Sequence, residues 1–320
     1  MQTWLWRFTA ATAGASLAAL LYASLIERMR VQLDRFTVEL DAPDLPPEGI
    51  TLLHLSDFHF QAGGRVQAAK IARLRRLLDG AEYDLAVLTG DLIHDAAGLA
   101  TAIELAASLR PRFGGFYCPG NHDYAEYSVW GIFDHSVGRF AKSPYATARQ
   151  LGAFVRKVLR NELVRLPVAF NDMEAIYAAL RRVGIEPLVN RAVRLPIEGG
   201  NLWIAGVDDL TEGRPDLLAA LADAPAGAAL VLLAHNPDIW LEPGVERTDL
   251  ILAGHTHGGQ IRLPLLGAAH TQGTHLTRRQ AAGWFSRGRS RMFVSRGLGE
   301  SIPLRFGVRP QVALIRLVSR

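Results

Sequence analysis

The sequence predicts a layered α/β protein, because short apolar runs alternate with stretches of helical spacing and each apolar run ends in a polar loop. Strands are predicted at residues 50–55, 85–89, 113–118, 202–207, 229–234, 250–253, 292–295 and 311–317, and helices at 66–78, 99–109 and 173–183. No repeat of fixed period is evident. This order indicates a layered α/β or αββα sheet with a functional site at the strand ends.

The composition is that of a protein with a full hydrophobic core. Of 320 residues, 49% are hydrophobic and 21% are charged, which suits one large domain. The net charge is +4, and all the basic residues are Arg except Lys70, Lys142 and Lys157. Arginine suits an anionic substrate, but the surplus is spread along the chain, so genomic base composition is the better explanation. The single cysteine, Cys118, excludes an intramolecular disulfide and is expected to lie in the core.

The amino-terminal segment 1–30 is predicted to be a membrane anchor, a single transmembrane helix. Residues 8–26 carry no charge, which is just long enough for a helix that crosses a bilayer, and Trp4 and Trp6 precede the run. A cleavable signal peptide and a soluble packing helix are the alternatives, although no clean Ala-x-Ala cleavage site follows. The Arg residues after the span favour a cytoplasmic location for the domain that follows, with the periplasmic face as the alternative.

The rest of the chain is predicted to be one domain. Residues 31–49 are expected to be a linker, because their second half is rich in proline, and residues 50–320 are expected to form the globular domain with an insert at about 124–171. Within the insert, residues 146–166 combine apolar side chains at helical spacing with five basic residues. Such a helix is either a cap that meets an anionic membrane or a lipid-phosphate substrate, or an ordinary packed surface helix.

The loops after the predicted strands carry residue types that bind metals. Asp57 and His59 follow the first strand, and their spacing in an extended segment points both side chains the same way. The other loops are Gly90-Asp91, Gly120-Asn121-His122-Asp123, the loop that begins with His235, and the loop that holds His255 and His257. Imidazole, carboxylate and amide oxygen together suit manganese, iron or zinc.

Each of these residues also has a structural explanation. A single Asp after a strand is usually a helix cap, and a single His is usually an ordinary core or surface side chain. Five such loops at the ends of strands nevertheless indicate one shared site. His54, His94 and His135 lie outside the pattern and are expected to be structural.

These motifs resemble the signature of the calcineurin-like metallophosphoesterases: Asp-x-His, Gly-Asp, Gly-Asn-His-Asp, a late His, and Gly-His-Thr-His, in that order from about residue 50 to the end. The longer runs Leu-Ala-His-Asn-Pro-Asp and Gly-His-Thr-His-Gly-Gly-Gln-Ile-Arg-Leu-Pro resemble the membrane-anchored bacterial branch. That branch includes phosphodiesterases of the YaeI and YkuE type and a UDP-2,3-diacylglucosamine pyrophosphatase. The resemblance implies an αββα metallophosphoesterase sandwich in the bacterial inner membrane.

The resemblance also implies a site of two divalent metal ions, manganese before iron or zinc, that share Asp91. One ion would take Asp57, His59 and His257 as well, and the other Asn121, His235 and His255. A hydroxide between the ions would attack phosphorus in line. His122 would give a proton to the leaving oxygen, and Asp123 would orient His122.

The expected function is metal-dependent hydrolysis of a phosphodiester or pyrophosphate. The resemblance also implies a lipid-linked substrate, with UDP-2,3-diacylglucosamine as the first candidate. The alternatives are a general phosphodiesterase or phosphatase for soluble substrates and a phosphate-binding protein without turnover. No nucleic-acid partner is expected, because the weak net charge offers no concentrated basic groove, and no protein partner is predicted.

Overall fold

A computed structural model describes residues 14–41, 45–61, 64–127, 167–195, 197 and 201–320, together with the single positions Thr12 and Arg156. The strands are β1 (Gln32–Leu40), β2 (Ile50–Leu55), β3 (Leu85–Thr89), β4 (Gly115–Cys118), β5 (Ala125–Tyr127), β6 (Pro167–Phe170), β7 (Ile185–Pro187), β8 (Arg191–Arg194), β9 (Leu202–Gly206), β10 (Ala229–Leu233), β11 (Leu250–Ala253), β12 (Arg262–Leu263), β13 (Gly267–Ala268), β14 (Gly283–Arg287), β15 (Ser290–Val294) and β16 (Gln311–Ser319). The helices are α1 (Arg65–Leu77), α2 (Leu99–Ser108), the single turn α3 (Asn121–Tyr124), α4 (Met173–Arg182) and the single turn α5 (Leu217–Ala220).

Within the described residues the strands form two sheets of six and two sheets of two, β12-β13 and β5-β6. The first sheet has the order β1-β16-β2-β3-β4-β7, and the second has the order β14-β15-β11-β10-β9-β8. β2, β3 and β4 are parallel neighbours in the first sheet, and β10 and β11 are parallel neighbours in the second. Because parallel neighbours end at the same edge of a sheet, the loops that follow these strands are brought together.

The two sheets pack face to face around the central core. Leu52 and Val87 of the first sheet meet Ile204, Val231 and Phe293 of the second in one buried cluster. This packing gives the strands of both sheets one shared carboxyl edge on which to build a site.

Helical layers cover the outer faces of both sheets. Leu74 of α1 and Leu105 of α2 pack on the first sheet together with Ile176 of α4. The second sheet is covered by Leu217 of α5 and by short helical turns such as Pro237–Leu241. The predicted layered α/β fold is confirmed.

One predicted boundary is wrong. The segment 31–49, expected to be a linker, begins with β1, which pairs in parallel with β16 from Gln32↔Gln311 to Leu40↔Ser319. β1 is an edge strand that exposes Arg35, Thr37 and Glu39, so its sequence alternates between polar and apolar residues and lacks the continuous apolar run of a strand buried on both faces. The linker is thus limited to the proline-rich residues that follow β1.

The amino-terminal segment is helical and rests on the domain. Residues 14–21 form an α-helix. Tyr22–Ile26 continue it as a π-helix, and Glu27–Met29 follow as a 3₁₀ turn. Among the described residues, none of the helices combines the length and the apolar character that a bilayer crossing needs. The anchor at 8–26 therefore remains a prediction, and residues 8–11 and 13 lie outside the described part.

The insert is described only at its two ends. β5 and β6 pair antiparallel and bring residues 125–127 and 167–170 together at the base of the insert. The predicted amphipathic helix at 146–166 lies outside the described residues, apart from the single position Arg156.

Candidate active site

All seven predicted metal ligands are buried at the shared carboxyl edge of the two sheets. The first sheet contributes Asp57 and His59 after β2, Asp91 after β3 and Asn121 after β4, and the second sheet contributes His235 after β10 and His255 and His257 after β11. Two sets drawn from these seven residues have ligand atoms within 4.8 Å of one another: Asp57, His59, Asp91 and His257, and Asp91, His235 and His255. Each set could hold one metal ion, and Asp91 belongs to both.

The Asp91 carboxylate lies at the centre of the cluster. Its Oδ2 is 3.2 Å from His235 Nε2 and 3.4 Å from His59 Nε2. Its Oδ1 accepts a hydrogen bond of 2.8 Å from the backbone N–H of His122. The Oδ2 atom of Asp91 therefore faces imidazoles from both sets.

The remaining ring nitrogens point at the same small volume. His59 Nε2 lies 3.0 Å from His257 Nε2, and His255 Nδ1 lies 3.1 Å from His235 Nε2. Asn121 Oδ1 is buried, and no donor of the described residues bonds to it. Converging imidazole nitrogens, carboxylates and an orphaned amide oxygen are the donor set of a divalent cation, so the residues fit the predicted metals.

The backbone of the site is strained in a way that aims these side chains. Asp57, His59, Asp91, His255 and His257 have φ angles of 54°, 48°, 53°, 69° and 51°. Each non-glycine residue in this left-handed region costs about 1–2 kcal/mol. Strain of this kind concentrates at functional sites, where the surrounding structure holds it in place.

Contacts between the two sheets fix the ligands. The backbone N–H of His255 donates to Asp57 Oδ1 at 2.9 Å, and His235 Nδ1 is 2.9 Å from the carbonyl oxygen of Thr89. The second contact leaves His235 Nε2 to face Asp91, as is usual for an imidazole that binds a metal. A Cβ at Gly120 would lie 2.5 Å from both Asp91 N and Asp91 Oδ1, so only glycine fits this position.

Comparison with known proteins identifies the family. Residues 50–259, more than half of the chain, match the family model described as calcineurin-like phosphoesterase. The chain belongs to the calcineurin-like phosphoesterase family. It is a metallophosphoesterase, a hydrolase that acts on phosphoester bonds.

Several curated relatives resemble this metallophosphoesterase, two of them over nearly their whole length. The uncharacterized metallophosphoesterase YkuE of Bacillus subtilis is 27% identical over 302 residues, which are 93% of this chain and 89% of YkuE. The UDP-2,3-diacylglucosamine pyrophosphatase LpxG of Chlamydia muridarum is 26% identical, with 92% of each chain covered. The phosphodiesterase YaeI of Escherichia coli is 33% identical over 48% of this chain and 54% of its own. These relatives confirm the predicted resemblance to the YkuE, YaeI and LpxG proteins.

Asp123 serves the metallophosphoesterase in a different way from the one predicted. Its carboxylate accepts hydrogen bonds from the backbone N–H groups of Asp91 and Leu92, each at 2.8 Å, and of Gly120 at 3.0 Å. The Tyr117 hydroxyl also donates to it at 2.8 Å. These partners make Asp123 the support of the loop that carries Asp91, and they give no support to the prediction that it orients the His122 side chain.

His122 lies among aromatic rings at the edge of the site. Its ring is stacked on His94 with centroids 5.2 Å apart and meets His59 edge-on at 4.5 Å. The Tyr127 ring is 4.7 Å away. His122 also lines the cavity beside Asp91, so its imidazole can reach a group bound there.

His94 is the residue that the sequence analysis missed. It was expected to be structural, yet its ring nitrogens lie within 4.8 Å of ligand atoms of His59 and His122. The sequence does place His94 three residues after Asp91 on the same loop, but the motifs used to select candidate ligands do not include it. His54, by contrast, is structural as expected, since it bonds to Thr89 Oγ1 at 2.8 Å and burial lowers its pKa to about 3. His135 lies outside the described residues.

Burial and mutual charge perturb the acids and bases of the site. Burial raises the pKa of Asp91 to about 7, although His235 acts in the opposite direction. Burial also acts to lower the pKa of His235, but the charge of Asp91 and its neighbours outweighs this and raises that pKa to about 10. A cation that binds here therefore competes with a proton on His235, so its affinity should rise with pH.

Two cavities flank the cluster. One, of about 310 Å³, is lined by Asp91, His122, Tyr127, Glu212 and Gln272, among others. The other, of about 260 Å³, lies on the side of His59 and His94 and reaches the apolar side chains of Phe58, Phe60 and Leu298. Ser301 borders both cavities, and its hydroxyl is 3.2 Å from His257 Nε2. The cluster of candidate ligands thus has open space on two sides.

Proposed function

We propose that this metallophosphoesterase uses two divalent cations, manganese first, to hydrolyse a membrane-associated phosphodiester or pyrophosphate. The observation that carries the two-cation part is the Asp91 carboxylate, whose atoms belong to both sets of converging ligands. UDP-2,3-diacylglucosamine is the first candidate substrate. This candidate is supported by the similarity to the LpxG proteins of two Chlamydia species. Each alignment covers 92% of this chain and 92% of the LpxG chain.

The residues divide the work as follows. Asp57, His59 and His257 would hold one cation and Asn121, His235 and His255 the other, with Asp91 common to both. When bound, two such cations lower the pKa of water and neutralise phosphoryl oxygens. His122, held by its N–H bond to Asp91, would donate a proton to the oxygen that leaves phosphorus as a water molecule attacks from the opposite side.

The cavities favour a substrate with a group on each side of phosphorus. The cavity at His122 is lined by polar residues such as Thr211, Glu212, Asn236 and Gln272, which suits a sugar or nucleotide. The cavity at His59 is bordered by Arg28, Lys70 and Glu300 as well as by Phe58 and Phe60, and it has room for a second group. A simple phosphomonoester would leave one of the two empty, so a diester or pyrophosphate makes better use of the site.

The proposed location is the inner membrane of a bacterium, with a single amino-terminal span at 8–26 and the catalytic domain in the cytoplasm. Resistance of the protein to extraction by high salt and alkali would support it, and recovery of a mature chain that begins soon after residue 26 would favour a signal peptide. A shortened chain should begin before Gln32, because a later start removes part of β1.

The substrate is tested by incubating the full chain and manganese with UDP-2,3-diacylglucosamine, with a soluble aryl phosphodiester and with an aryl phosphomonoester. Hydrolysis of the pyrophosphate bond should release UMP and the sugar-lipid phosphate faster than the aryl diester is cleaved. Turnover of the lipid that is no faster than that of the aryl diester would instead favour a general phosphodiesterase. Metal binding without hydrolysis of any of the three would favour a phosphate-binding protein.

A further inference from the structure

Exposed apolar side chains concentrate in two segments. Of the twelve large apolar residues that are exposed in the described part of the chain, eight lie in the hairpin β12–β13 or in the amino-terminal helical segment. At the hairpin tip, Leu265 is 93% exposed. The others in these two segments are Leu17, Leu20, Leu21, Leu25, Ile26, Leu263 and Leu266. Apolar surface gathered in this way marks a contact site, whereas single exposed leucines are ordinary.

The two segments are held against the same loop, residues 305–307. At the base of the hairpin, the backbone N–H of Arg262 donates to the carbonyl oxygen of Phe306 at 2.7 Å. The Tyr22 ring packs edge-on against Phe306 with centroids 6.4 Å apart. Glu27 is buried and accepts a hydrogen bond of 3.0 Å from the backbone N–H of Gly307. The hairpin and the helical segment are therefore neighbours on one face of the molecule.

The base of the hairpin is basic. Arg262 and Arg279 border a shallow hollow of about 560 Å³ together with Leu263, Leu265 and Gly307. The Arg262 guanidinium donates to the carbonyl oxygen of Arg279 at 3.1 Å, which keeps the two residues together. No acidic residue of the described chain lines this hollow. An apolar tip above arginines is complementary to a bilayer with anionic headgroups, where leucine enters the acyl boundary and arginine meets phosphate.

We propose that the β12–β13 hairpin is a membrane-docking element that inserts Leu263, Leu265 and Leu266 into the surface of an anionic bilayer. The occupant of this surface is the lipid bilayer. A protein partner is disfavoured for two reasons. The tip carries an almost fully exposed leucine above two arginines, and it lies beside the apolar helical segment.

The hairpin is also connected to the catalytic cavity. It lies in the chain between His257 and Gln272, and Gln272 both lines the cavity and places its carbonyl oxygen 3.2 Å from His255 Nε2. Docking of the hairpin would hold the mouth of the cavity at a fixed depth relative to the headgroups. The inference goes beyond the proposed substrate and does not depend on it, because it concerns only where the domain rests.

The test places a fluorescent label at the tip. In the full chain, Leu265→Cys is labelled with a nitrobenzoxadiazole reagent, and the native Cys118 is fully buried and should not react. The matched control is Leu218→Cys, which labels an exposed leucine on α5 over the outer face of the second sheet. Both proteins are reconstituted into vesicles of phosphatidylcholine and phosphatidylglycerol, with and without nitroxide-labelled lipid.

Lipid-borne nitroxide should quench the label at 265 on the order of twofold and leave the label at 218 nearly unchanged. Replacing Arg262 and Arg279 by Glu should reduce the quenching in anionic vesicles. Equal quenching at the two positions would overturn the proposal. So would a label at 265 that already reports an apolar environment without vesicles, because a second copy or another part of the chain would then cover the tip.

A separate measurement distinguishes this proposal from the proposed function. In a chain labelled at position 266, Leu265→Asp should abolish the quenching by nitroxide-labelled lipid. The same variant should hydrolyse the soluble aryl phosphodiester at the unaltered rate. Hydrolysis that fails in every variant, including the unaltered chain, would count against the function and leave the quenching result standing. Unchanged quenching in Leu265→Asp would count against the hairpin alone.

Discussion

Asp91 offers the sharpest test of a shared two-metal site. Because its carboxylate belongs to both sets of ligands, Asp91→Asn should abolish both metal sites while keeping the size of the side chain. His257 belongs only to the first set and His255 only to the second. His257→Ala and His255→Ala should each remove one site and leave the other.

The expected magnitude follows from linkage between binding and folding. A cation that binds only the folded chain stabilises it by about 4 kcal/mol at a free concentration about 1,000 times its Kd. At about 2.1 cal/mol/K of unfolding entropy per residue, about 1 kcal/mol raises the melting temperature of a chain of this length by about 1.5 °C. Manganese should therefore raise the melting temperature of the unaltered chain by roughly 6 °C for each ion, by half the total in the two His variants, and by almost nothing in Asp91→Asn.

The assay combines calorimetric titration with thermal unfolding after metal removal and stepwise addition of manganese. Asp249→Asn is a matched control, because Asp249 is equally buried but accepts from the backbone N–H of Leu230 and pairs with Arg289 instead of facing the cluster. That variant should lose stability and still bind two ions. If Asp91→Asn bound two ions, or if each His variant lost both, the shared-carboxylate arrangement would be refuted.

Two further predictions concern residues beside the metal cluster. His122→Ala should retain both cations and slow hydrolysis by roughly a hundredfold, the scale of a lost general acid; loss of metal in this variant would make His122 a ligand instead. His54 should make folding sensitive to acid, because the unfolded chain takes up a proton near pH 6.5 whereas the folded chain does so only near pH 3. Stability is then complete above pH 6.5 and falls as the pH drops through this window, by about 2 kcal/mol at pH 5. Urea unfolding at pH 7 and pH 5 should show this loss, and His54→Leu should lack that part of it.

The sequence was a good guide to the fold where strands are buried on both faces. The predicted strand at 50–55 and the one at 85–89 match β2 and β3, because continuous apolar runs are required where helices and a second sheet cover both sides. β1 was not predicted as a strand, because an edge strand needs no such run. β14 was not predicted for the same reason, since it is the edge of the second sheet and its positions are only partly buried.

The sequence indicated which residues cluster at the sheet edge, but it did not indicate the contacts of the residues beside them. Asp57 and His257 are visible because their types and spacing carry the chemistry. The roles of Asp123 and His94 depend on three-dimensional neighbours: Asp123 is close enough to the loop of Asp91 to support its backbone, and His94 stacks on His122. Such contacts arise from how loops turn after strands, and single residues in a chain do not encode them separately.

The candidate site lies where the two sheets meet, and its contacts also hold the two sheets together. The acids and the amide come mainly from the first sheet and the imidazoles mainly from the second, so neither sheet alone offers a complete ligand set. The bond from the His255 N–H to Asp57 and the contact of His235 with Thr89 cross between the sheets at this edge. The strained backbone at Asp57, Asp91 and His255 is held by the same packing. Cations that bind across this edge would therefore stabilise the sandwich itself, because free energy gained by ligands from both sheets opposes their separation.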